Sequence, residues 1–205
     1  MIKIIAHRGG SRLKYEQNSL KAVKKSLKNG ADLIELDIRV TKDQRIIAHH
    51  GSLLESLKLS QFTKKNNFKT VKTRFPHLRT LDKLLKLIEN KAEIVLHIKD
   101  EHITMKDLLK ICQTFSLKKI YISSTSVRYL ASCHFYLPAN WILVYIIPHP
   151  FRRFIKSCIA NDIKFVEISP WFLTNNFIKK LRRYGIKFAI CGLFKHQKHL
   201  QKALK

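Results

Sequence analysis

Apolar runs of strand length alternate with amphipathic segments of helical period along almost the whole sequence, and this alternation constrains the fold most strongly. It favours a parallel α/β architecture over an antiparallel sandwich, because parallel pairing requires a crossover segment between strands. With 205 residues, of which 45% are apolar, the chain can bury one sizeable core, and it shows no linker that would separate two. We therefore expect a single domain over residues 1–205.

The first apolar run, IIAHRGG over residues 4–10, ends abruptly in charged and flexible residues. We predict a buried strand that delivers the imidazole of His7 and the guanidinium of Arg8 to its C-terminal end. Parallel α/β folds keep their chemistry at that end of the sheet. Asn18 or Ser19 follows as the predicted cap of an amphipathic helix.

The next run, LIELDIRV over residues 33–40, carries two carboxylates within an otherwise apolar strand. Because side chains alternate along a strand, Glu35 and Asp37 point to the same face. Adjacent carboxylates repel each other unless a cation or a proton lies between them, so a divalent metal with oxygen ligands is the natural partner. Ion pairs with lysines of the helices are the alternative.

A short turn at residues 41–44 joins this strand to another run at 45–50, and four residues are too few for a parallel crossover. We expect an antiparallel hairpin centred on the middle of the turn. That register would place His49 opposite Leu36, level with the two carboxylates. His50, one residue further on, would lie on the other face as a loop residue.

Later segments continue the pattern. On the run EIVLHIK over residues 93–99, His97 and Lys99 share one face of the predicted strand. Residues 51–75 are polar, basic and weakly patterned, which is typical of a long loop that covers a site or binds a partner. Other strands are predicted at residues 119–124, 141–147, 164–169 and 187–193, and helices near residues 81–88, 104–114, 150–160 and 174–184, with a basic helix at the end of the chain.

The formal net charge of +26 at pH 7 is the anomalous bulk property. It indicates attraction to nucleic acid, an anionic membrane surface or a phosphorylated substrate, although a genome-wide bias toward lysine would give the same value. No nucleic-acid-binding motif is recognisable, and the lysines are spread over the helical segments. No run reaches the length of a membrane helix and no leader pattern precedes the first strand, so we expect a cytoplasmic protein.

Several short motifs in a fixed order resemble those of the glycerophosphodiester phosphodiesterase family. They are HRG at residues 7–9, an NS pair at 18–19 before a helix, ELD at 35–37, a strand ending in His49, HIK at 97–99 and SS at 123–124. The resemblance covers about residues 3–194. It implies a TIM-type (β/α) barrel of lipid metabolism that hydrolyses glycerophosphodiesters to glycerol phosphate and an alcohol, with a divalent cation, Mg²⁺ or Ca²⁺, as cofactor.

The resemblance implies a role for six matching residues: His7 and His49 as acid and base, Glu35 and Asp37 as metal ligands, and Arg8 and Lys99 as phosphate-binding cations. This combination is chemically sensible, because a metal and fixed cations stabilise the charge that spreads over the phosphoryl oxygens. Two imidazoles with pKa values near neutrality can exchange the roles of proton acceptor and proton donor.

Three positions depart from the family pattern, each by the loss of a carboxylate. Gln17 replaces a glutamate, His50 replaces an aspartate, and His97 replaces the third metal carboxylate. Affinity for Mg²⁺ and Ca²⁺ should fall, since these ions bind largely through ligand charge, whereas two carboxylates and an imidazole suit Mn²⁺, Fe²⁺ or Zn²⁺ better. His97 is therefore either a metal ligand or a neutral replacement that ended metal binding.

The end of the chain also departs from the family, because the pattern lacks the closing strand that should follow the last helix. An unclosed barrel leaves a sheet edge that must be covered or paired, and a second copy of the chain in a homodimer is one solution. A shortened, decaying relative is the alternative.

Three hypotheses of function follow. The first is a metal-dependent hydrolase of small glycerophosphodiesters or lysophospholipid-like substrates. The second is a catalytically degenerate relative that binds anionic headgroups or membrane surfaces through its basic surface. The third, favoured by charge alone, is a nucleic-acid binder.

Overall fold

The computed structural model describes residues 3–11, 13, 16–50, 60–76, 78–148 and 153–190. Contacts divide the chain into two compact units, one formed by residues 1–122 and 136–141 and the other by residues 123–135 and 142–205. The predicted alternation of strands and helices is confirmed in both units, whereas the single-domain organisation stays a prediction.

The first unit contains the N-terminal strands and the helices that follow them. Its strands are β1 (Ile5–Ala6), β2 (Leu33–Val40), β3 (Ile46–Ala48), β4 (Arg79–Thr80), β5 (Glu93–Ile98) and the beginning of β6 (Ile120–Ser124). Its helices are α1 (Leu20–Lys28), α2 (Phe68–Arg74), α3 (Leu81–Ile88) and α4 (Met105–Cys112), and residues 60–65 are also helical.

Strand β2 is central in this unit, where the order is β4-β3-β2-β5-β6 and β1 also pairs with β2. Every residue of β2 is buried. It runs parallel to β1 and β5 and antiparallel to β3. The parallel register aligns Asp37 with His97, so the middle of β2 and the end of β5 lie side by side.

The chain turns sharply after β1, where His7–Gly10 form a 3₁₀ turn. Gly9 and Gly10 have φ angles of 75° and 89°, in the left-handed region that favours glycine. A Cβ atom on Gly10 would lie only 1.9 Å from Oγ of Ser26, and that hydroxyl donates to the carbonyl of Gly9 at 2.8 Å. Helix α1 therefore packs so closely on this turn that glycine is required at position 10.

The hairpin between β2 and β3 is confirmed, but the predicted register is wrong by one residue. Ile38 pairs with Ala48 and Val40 with Ile46, and the backbone N–H of His49 donates to the carbonyl of Asp37 at 2.8 Å. The reason is the turn, in which Gln44 adopts a φ of 57° and makes a three-residue loop. His49 therefore lies opposite Asp37 and not opposite Leu36.

The helices bury the apolar faces that their spacing predicts, and α3 is the clearest case, with Leu81, Leu84, Leu85 and Ile88 fully inaccessible. Burial of each such side chain contributes about 1.5–3 kcal/mol. The prediction of a long loop over residues 51–75 is wrong where it can be compared, because residues 60–65 and α2 are helical. Residues 51–59 lie outside the described part of the chain.

The second unit contains the end of β6, most of β7 (Trp141–Ile146), and the strands β8 (Phe165–Ile168) and β9 (Lys187–Ile190). Its helices are α5 (Val127–His134), α6 (Arg153–Ala160) and α7 (Asn175–Arg183). Strand β8 runs parallel to β7 and to β9. Helix α5 was not predicted; it is short and buries Tyr129, Leu130 and Cys133 along its apolar face.

The fold class is confirmed as α/β, with a mainly parallel sheet that is not closed over the described residues. In the described part of the chain, β9 pairs with β8 alone and β1 pairs with β2 alone. The predicted absence of a closing strand and the predicted terminal helix concern residues 191–205, which lie outside the described residues. Over the ranges that the structure describes, no helix is long and apolar enough to cross a membrane.

Candidate active site

Three side chains of metal-ligating type converge where β2 and β5 run side by side. Glu35, Asp37 and His97 each offer one ligand atom, and these atoms all lie within 4.8 Å of one another. Nδ1 of His97 is 3.6 Å from Oε1 of Glu35 and 3.3 Å from Oδ1 of Asp37. The structure thus brings together the three side chains that the sequence predicts as ligands.

Two carboxylate oxygens of this cluster suit a bound cation. Oε1 of Glu35 and Oδ1 of Asp37 are buried and have no hydrogen-bond partner among the described residues. A buried polar atom without a hydrogen-bond partner lowers the stability of the fold. Both oxygens face Nδ1 of His97. Two anionic oxygens and one imidazole nitrogen make a donor set that fits a divalent metal.

The second oxygen of Asp37 is fixed by Asn18, a residue whose role the sequence did not reveal. Nδ2 of Asn18 donates to Oδ2 of Asp37 at 3.1 Å, and the backbone N–H of Asp37 donates to Oδ1 of Asn18 at 3.0 Å. Asn18 is buried and has a φ of 56°, which asparagine tolerates better than most residues. Of the two residues predicted as the helix cap, Ser19 is the one that caps α1, since its side chain accepts from the backbone N–H of Ala22.

Glu35 is held by the turn that follows β1. The backbone N–H of Arg8 donates to Oε2 of Glu35 at 2.6 Å. Nε2 of His7 lies 3.9 Å from the same oxygen, and the His7 side chain is about half exposed. The 3₁₀ turn therefore orients a ligand carboxylate and places a solvent-accessible imidazole beside it.

The guanidinium of Arg8 lies among mainly neutral partners. Its Nη1 donates to Oε1 of Gln17 at 3.1 Å, and its Nη2 lies 2.7 Å from Nε2 of His50. A guanidinium has donors only, so Arg8 is the donor and Nε2 of His50 the acceptor in this contact. His50 follows β3 outside any helix or strand, in agreement with its interpretation as a loop residue, and its side chain contacts Arg8. The Nε atom of Arg8 lies 3.7 Å from Oδ2 of Asp37.

Lys99 supplies a further positive charge directly after β5. Its Nζ lies 3.3 Å from Oδ1 of Asp37, and its side chain is one fifth exposed. Its backbone N–H donates to the carbonyl of Ile38 at 3.0 Å, which continues the pairing of β2 and β5. The ammonium group thus borders the ligand cluster and can contact an incoming anion.

The charges of the cluster shift the protonation of its members. Burial acts to raise the pKa of the Asp37 carboxyl, but the His97 imidazole and the charge of Lys99 outweigh it and hold that pKa far below its usual range. Burial acts to lower the pKa of His97, yet the Asp37 and Glu35 carboxylates raise it overall. A metal that binds His97 must displace this proton, so metal affinity should rise with pH.

His49 contacts the site through its main chain, because its backbone N–H donates to the carbonyl of Asp37. The ring of His49 lies against Phe75, with ring centroids 6.2 Å apart. Of the two histidines predicted as acid and base, the structure therefore places the imidazole of His7 beside a ligand carboxylate and that of His49 beside an aromatic ring.

Two further buried charges escaped the sequence analysis. Arg39 is on the same face of β2 as Glu35 and Asp37, and Asp100 follows Lys99 directly. Both side chains are almost inaccessible to solvent. The signal for Arg39 was present in the sequence, because ionised residues at alternate positions of a buried strand indicate more than a pair of metal ligands.

Comparison with known proteins yields a family match for most of the chain and similar solved structures. A model of the glycerophosphoryl diester phosphodiesterase family matches residues 7–189, which include every side chain of the site. A glycerophosphodiester phosphodiesterase of Bacillus altitudinis is 44% identical over 54 residues, which are 26% of this chain and 22% of the relative. The chain spans less than a third of the length of the curated relatives that it matches.

Solved structures resemble the whole chain. The glycerophosphodiester phosphodiesterase of Thermotoga maritima matches with a TM-score of 0.79 at 19% identity, covering 100% of this chain and 91% of that one. The phosphodiesterase of Oleispira antarctica, solved with the product sn-glycerol-3-phosphate, matches with a TM-score of 0.82 at 15% identity, covering 100% and 90%. At these identities the likeness establishes the fold, a TIM-type (β/α) barrel.

Proposed function

The chain belongs to the glycerophosphoryl diester phosphodiesterase family, and from this membership we propose that it hydrolyses glycerophosphodiesters to glycerol phosphate and an alcohol. The supporting observation is the cluster of Glu35, Asp37 and His97 next to two cations, Arg8 and Lys99. A phosphodiester is an anion that gains charge on its oxygens during hydrolysis, so a metal and fixed cations are the groups it requires. Small glycerophosphodiesters and lysophospholipid-like molecules are the proposed substrates.

Glu35, Asp37 and His97 would hold a divalent cation, which when bound supplies Lewis-acid stabilisation of the phosphoryl oxygens. Mg²⁺ or Ca²⁺ is the usual cation in the family. An imidazole in place of a third carboxylate reduces ligand charge, and we therefore propose that Mn²⁺, Fe²⁺ or Zn²⁺ binds more tightly here.

Arg8 and Lys99 are the proposed phosphate ligands. Arg8 is oriented by the Gln17 amide and the His50 imidazole, and neither partner neutralises its charge. An arginine fork can bind two phosphate oxygens at once, whereas the Lys99 ammonium acts as a single point charge. Together they would hold the phosphate in a fixed orientation.

His7 and His49 are the proposed acid and base. One imidazole accepts a proton from the attacking water while the oxygen of that water forms the new P–O bond. The other donates a proton to the alcohol oxygen while the P–O bond to the alcohol breaks. The partial exposure of His7 is consistent with this role, because a substrate must reach the ring.

The test is release of glycerol phosphate from glycerophosphodiesters with choline, ethanolamine, glycerol and inositol as alcohols, and release of choline from lysophosphatidylcholine. Wild type, His7→Ala and His49→Ala are compared, with His134→Ala as a matched control outside the proposed site. Loss of general acid–base catalysis costs about 10²–10⁴-fold in rate. We expect losses of this size in kcat for the first two variants and wild-type activity for the control.

Two results would oppose the proposal. Equal release of glycerol phosphate by wild type and by both site variants would show that neither histidine takes part in the reaction. Absence of release with every substrate and every metal would reject hydrolysis of glycerophosphodiesters itself.

A further inference from the structure

Asn18 is a buried amide whose oxygen and nitrogen both contact Asp37. The residue is only 2% exposed, and its Nδ2 and Oδ1 make hydrogen bonds to Asp37 at 3.1 and 3.0 Å. The backbone N–H of Asp37 can only donate, so Oδ1 of Asn18 must face it and Nδ2 must face the carboxylate. The main chain of β2 therefore fixes which way the amide points.

The main chain on both sides of Asn18 is also held in place. Its backbone N–H donates to the carbonyl of Arg8 at 2.8 Å, which joins Asn18 to the turn after β1. Its φ of 56° lies in the left-handed region, which asparagine adopts more readily than most residues. Ser19, the next residue, caps α1 by accepting from the backbone N–H of Ala22. Asn18 is thus anchored independently of its contact with Asp37.

The two carboxylate oxygens of Asp37 consequently differ. Oδ2 accepts from Asn18, whereas Oδ1 is buried and has no hydrogen-bond partner among the described residues. Oδ1 lies 3.3 Å from Nδ1 of His97, on the side of the proposed metal ligands. A carboxylate can bind a cation through one oxygen or through both. Binding through Oδ2 competes with the amide of Asn18, a buried donor that would then lose its acceptor.

We propose that Asn18 is a positioning residue that presents only Oδ1 of Asp37 to a metal and thereby disfavours Ca²⁺. The inference rests on the proposed function, which assigns Asp37 as a metal ligand. Ca²⁺ takes about six to eight oxygen ligands and often binds both oxygens of one carboxylate. Zn²⁺ takes about four ligands, which include imidazole nitrogens and single carboxylate oxygens. An aspartate restricted to one oxygen therefore suits Zn²⁺ better than Ca²⁺.

The alternative is that Asn18 only stabilises the fold by joining the chain before α1 to β2. Its loss would then lower the fraction of folded molecules and leave the relative affinity of the folded protein for two metals unchanged. A residue that controls the second oxygen of Asp37 changes this relative affinity. The ratio of two Kd values, measured on folded protein, therefore separates the two roles.

The experiment compares wild type with Asn18→Gly, which removes the amide and readily adopts the left-handed conformation. Asn18→Ala is a second variant without the amide. Ser19→Ala is the matched control, because it removes the neighbouring helix cap and lowers stability without contact to Asp37. His97→Asn shows which bound Zn²⁺ belongs to this site. The Kd of Ca²⁺ and that of Zn²⁺ are measured by competition with a fluorescent chelator, and circular dichroism checks folding.

In wild type we expect Zn²⁺ to bind more tightly than Ca²⁺. In Asn18→Gly and Asn18→Ala the Kd of Zn²⁺ should rise by about tenfold to a hundredfold, the usual effect of removing a group that holds a metal ligand. The Kd of Ca²⁺ should rise by less than about threefold, because both oxygens of Asp37 become available to it. The preference for Zn²⁺ should therefore shrink by roughly threefold or more, whereas Ser19→Ala should keep the wild-type preference.

A wild-type ratio of the two Kd values in the folded Asn18 variants would overturn the proposal, and so would an equal change of the ratio in Ser19→Ala. Absence of metal binding to wild type would overturn it together with the proposed metal site. Failure of the proposed hydrolysis is a separate result. A wild type that binds both metals but releases no glycerol phosphate would refute the hydrolysis, while the changed ratio would still support the role of Asn18.

Discussion

The two sides of the site differ in how their charges are balanced. On the ligand side, the buried carboxylates of Glu35 and Asp37 lie within ion-pair distance of the His97 imidazole, whose pKa they raise. On the phosphate side, Arg8 donates to the amide of Gln17 and contacts Nε2 of the His50 imidazole. On the ligand side, opposite charges face each other directly, whereas Arg8 hydrogen-bonds to uncharged side-chain groups and reaches a carboxylate oxygen, that of Asp37, only at 3.7 Å.

Because of this difference, the loss of the three family carboxylates has different consequences on the two sides of the site. At Gln17 and His50 the loss leaves Arg8 oriented by side chains without a carboxylate, so that Asp37 remains as its carboxylate neighbour at 3.7 Å, and this favours binding of an anion. At His97 the loss introduces a group that must give up a proton before it can bind a metal. Phosphate binding should therefore be robust, and metal binding should be selective and dependent on pH.

The largest expected effect is that of Asp37→Asn, which removes the carboxylate that both sides share. Metal binding and activity should be lost, the latter by roughly a thousandfold or more, because charge stabilisation of the reacting phosphate depends on this residue. Removing one partner of a buried charge cluster also lowers the free energy of unfolding by about 3–5 kcal/mol. Calorimetric metal titration, glycerol phosphate release and denaturant unfolding measure the three effects.

Asp32→Asn is the control for this variant, because Asp32 precedes β2 and accepts from the backbone N–H of Ile4 away from the site. It should retain wild-type turnover. Metal-dependent activity in Asp37→Asn would contradict the shared role of Asp37.

A second variant, His97→Asp, alters the ligand side alone. Restoring a carboxylate should strengthen Mg²⁺ binding by about tenfold or more, because affinity for this ion depends on ligand charge. Titration calorimetry of the wild type and the variant measures the change directly. Unchanged Mg²⁺ affinity would show that residue 97 does not contact the metal.

The phosphate side can be altered through Gln17→Glu, which places a carboxylate against Nη1 of Arg8. The new charge competes with phosphate, so the Kd of inorganic phosphate should rise by roughly threefold to tenfold in this partly exposed setting. The Kd of Mn²⁺ should change less than that of phosphate. Tighter phosphate binding in this variant would contradict the view that neutral partners leave Arg8 available.

The smallest effect concerns pH. Because the folded-state pKa of His97 is raised above its ordinary value near 6.5, protonated His97 stabilises the metal-free protein fully below about pH 6.5. This stabilisation is lost as the pH rises through the folded-state pKa. The Tm of chelator-treated protein should therefore fall by about a few degrees between pH 6 and pH 9, and less in His97→Asn. An identical pH profile in wild type and His97→Asn would oppose this account.

The local part of the site could be predicted from the sequence. Strand alternation alone places Glu35 and Asp37 on one face, and the glycines after Arg8 mark the turn at the end of β1. The register of β2 against β3 could not be predicted to the residue, because nothing in the identity of Gln44 signals its left-handed conformation. Because of this one torsion angle, His49 lies opposite Asp37 and not, as the sequence predicted, opposite Leu36.

Contacts between segments that are distant in the sequence could not be predicted. Asn18 reaches Asp37 only because α1 packs on the turn after β1, and the local pattern shows just a helix cap. The link from Arg39 to the carbonyl of His50 depends on how β2 and β3 meet. Both contacts join residues whose proximity is set by packing and not by periodicity.

Metal dependence of turnover tests the central claim most directly. Release of glycerol phosphate is measured with saturating Mn²⁺, with Mg²⁺, and with chelator, at constant ionic strength and pH. Hydrolysis that is fastest with Mn²⁺, slower with Mg²⁺ and absent with chelator is the result predicted by the ligand set of Glu35, Asp37 and His97. Equal hydrolysis under all three conditions would contradict it.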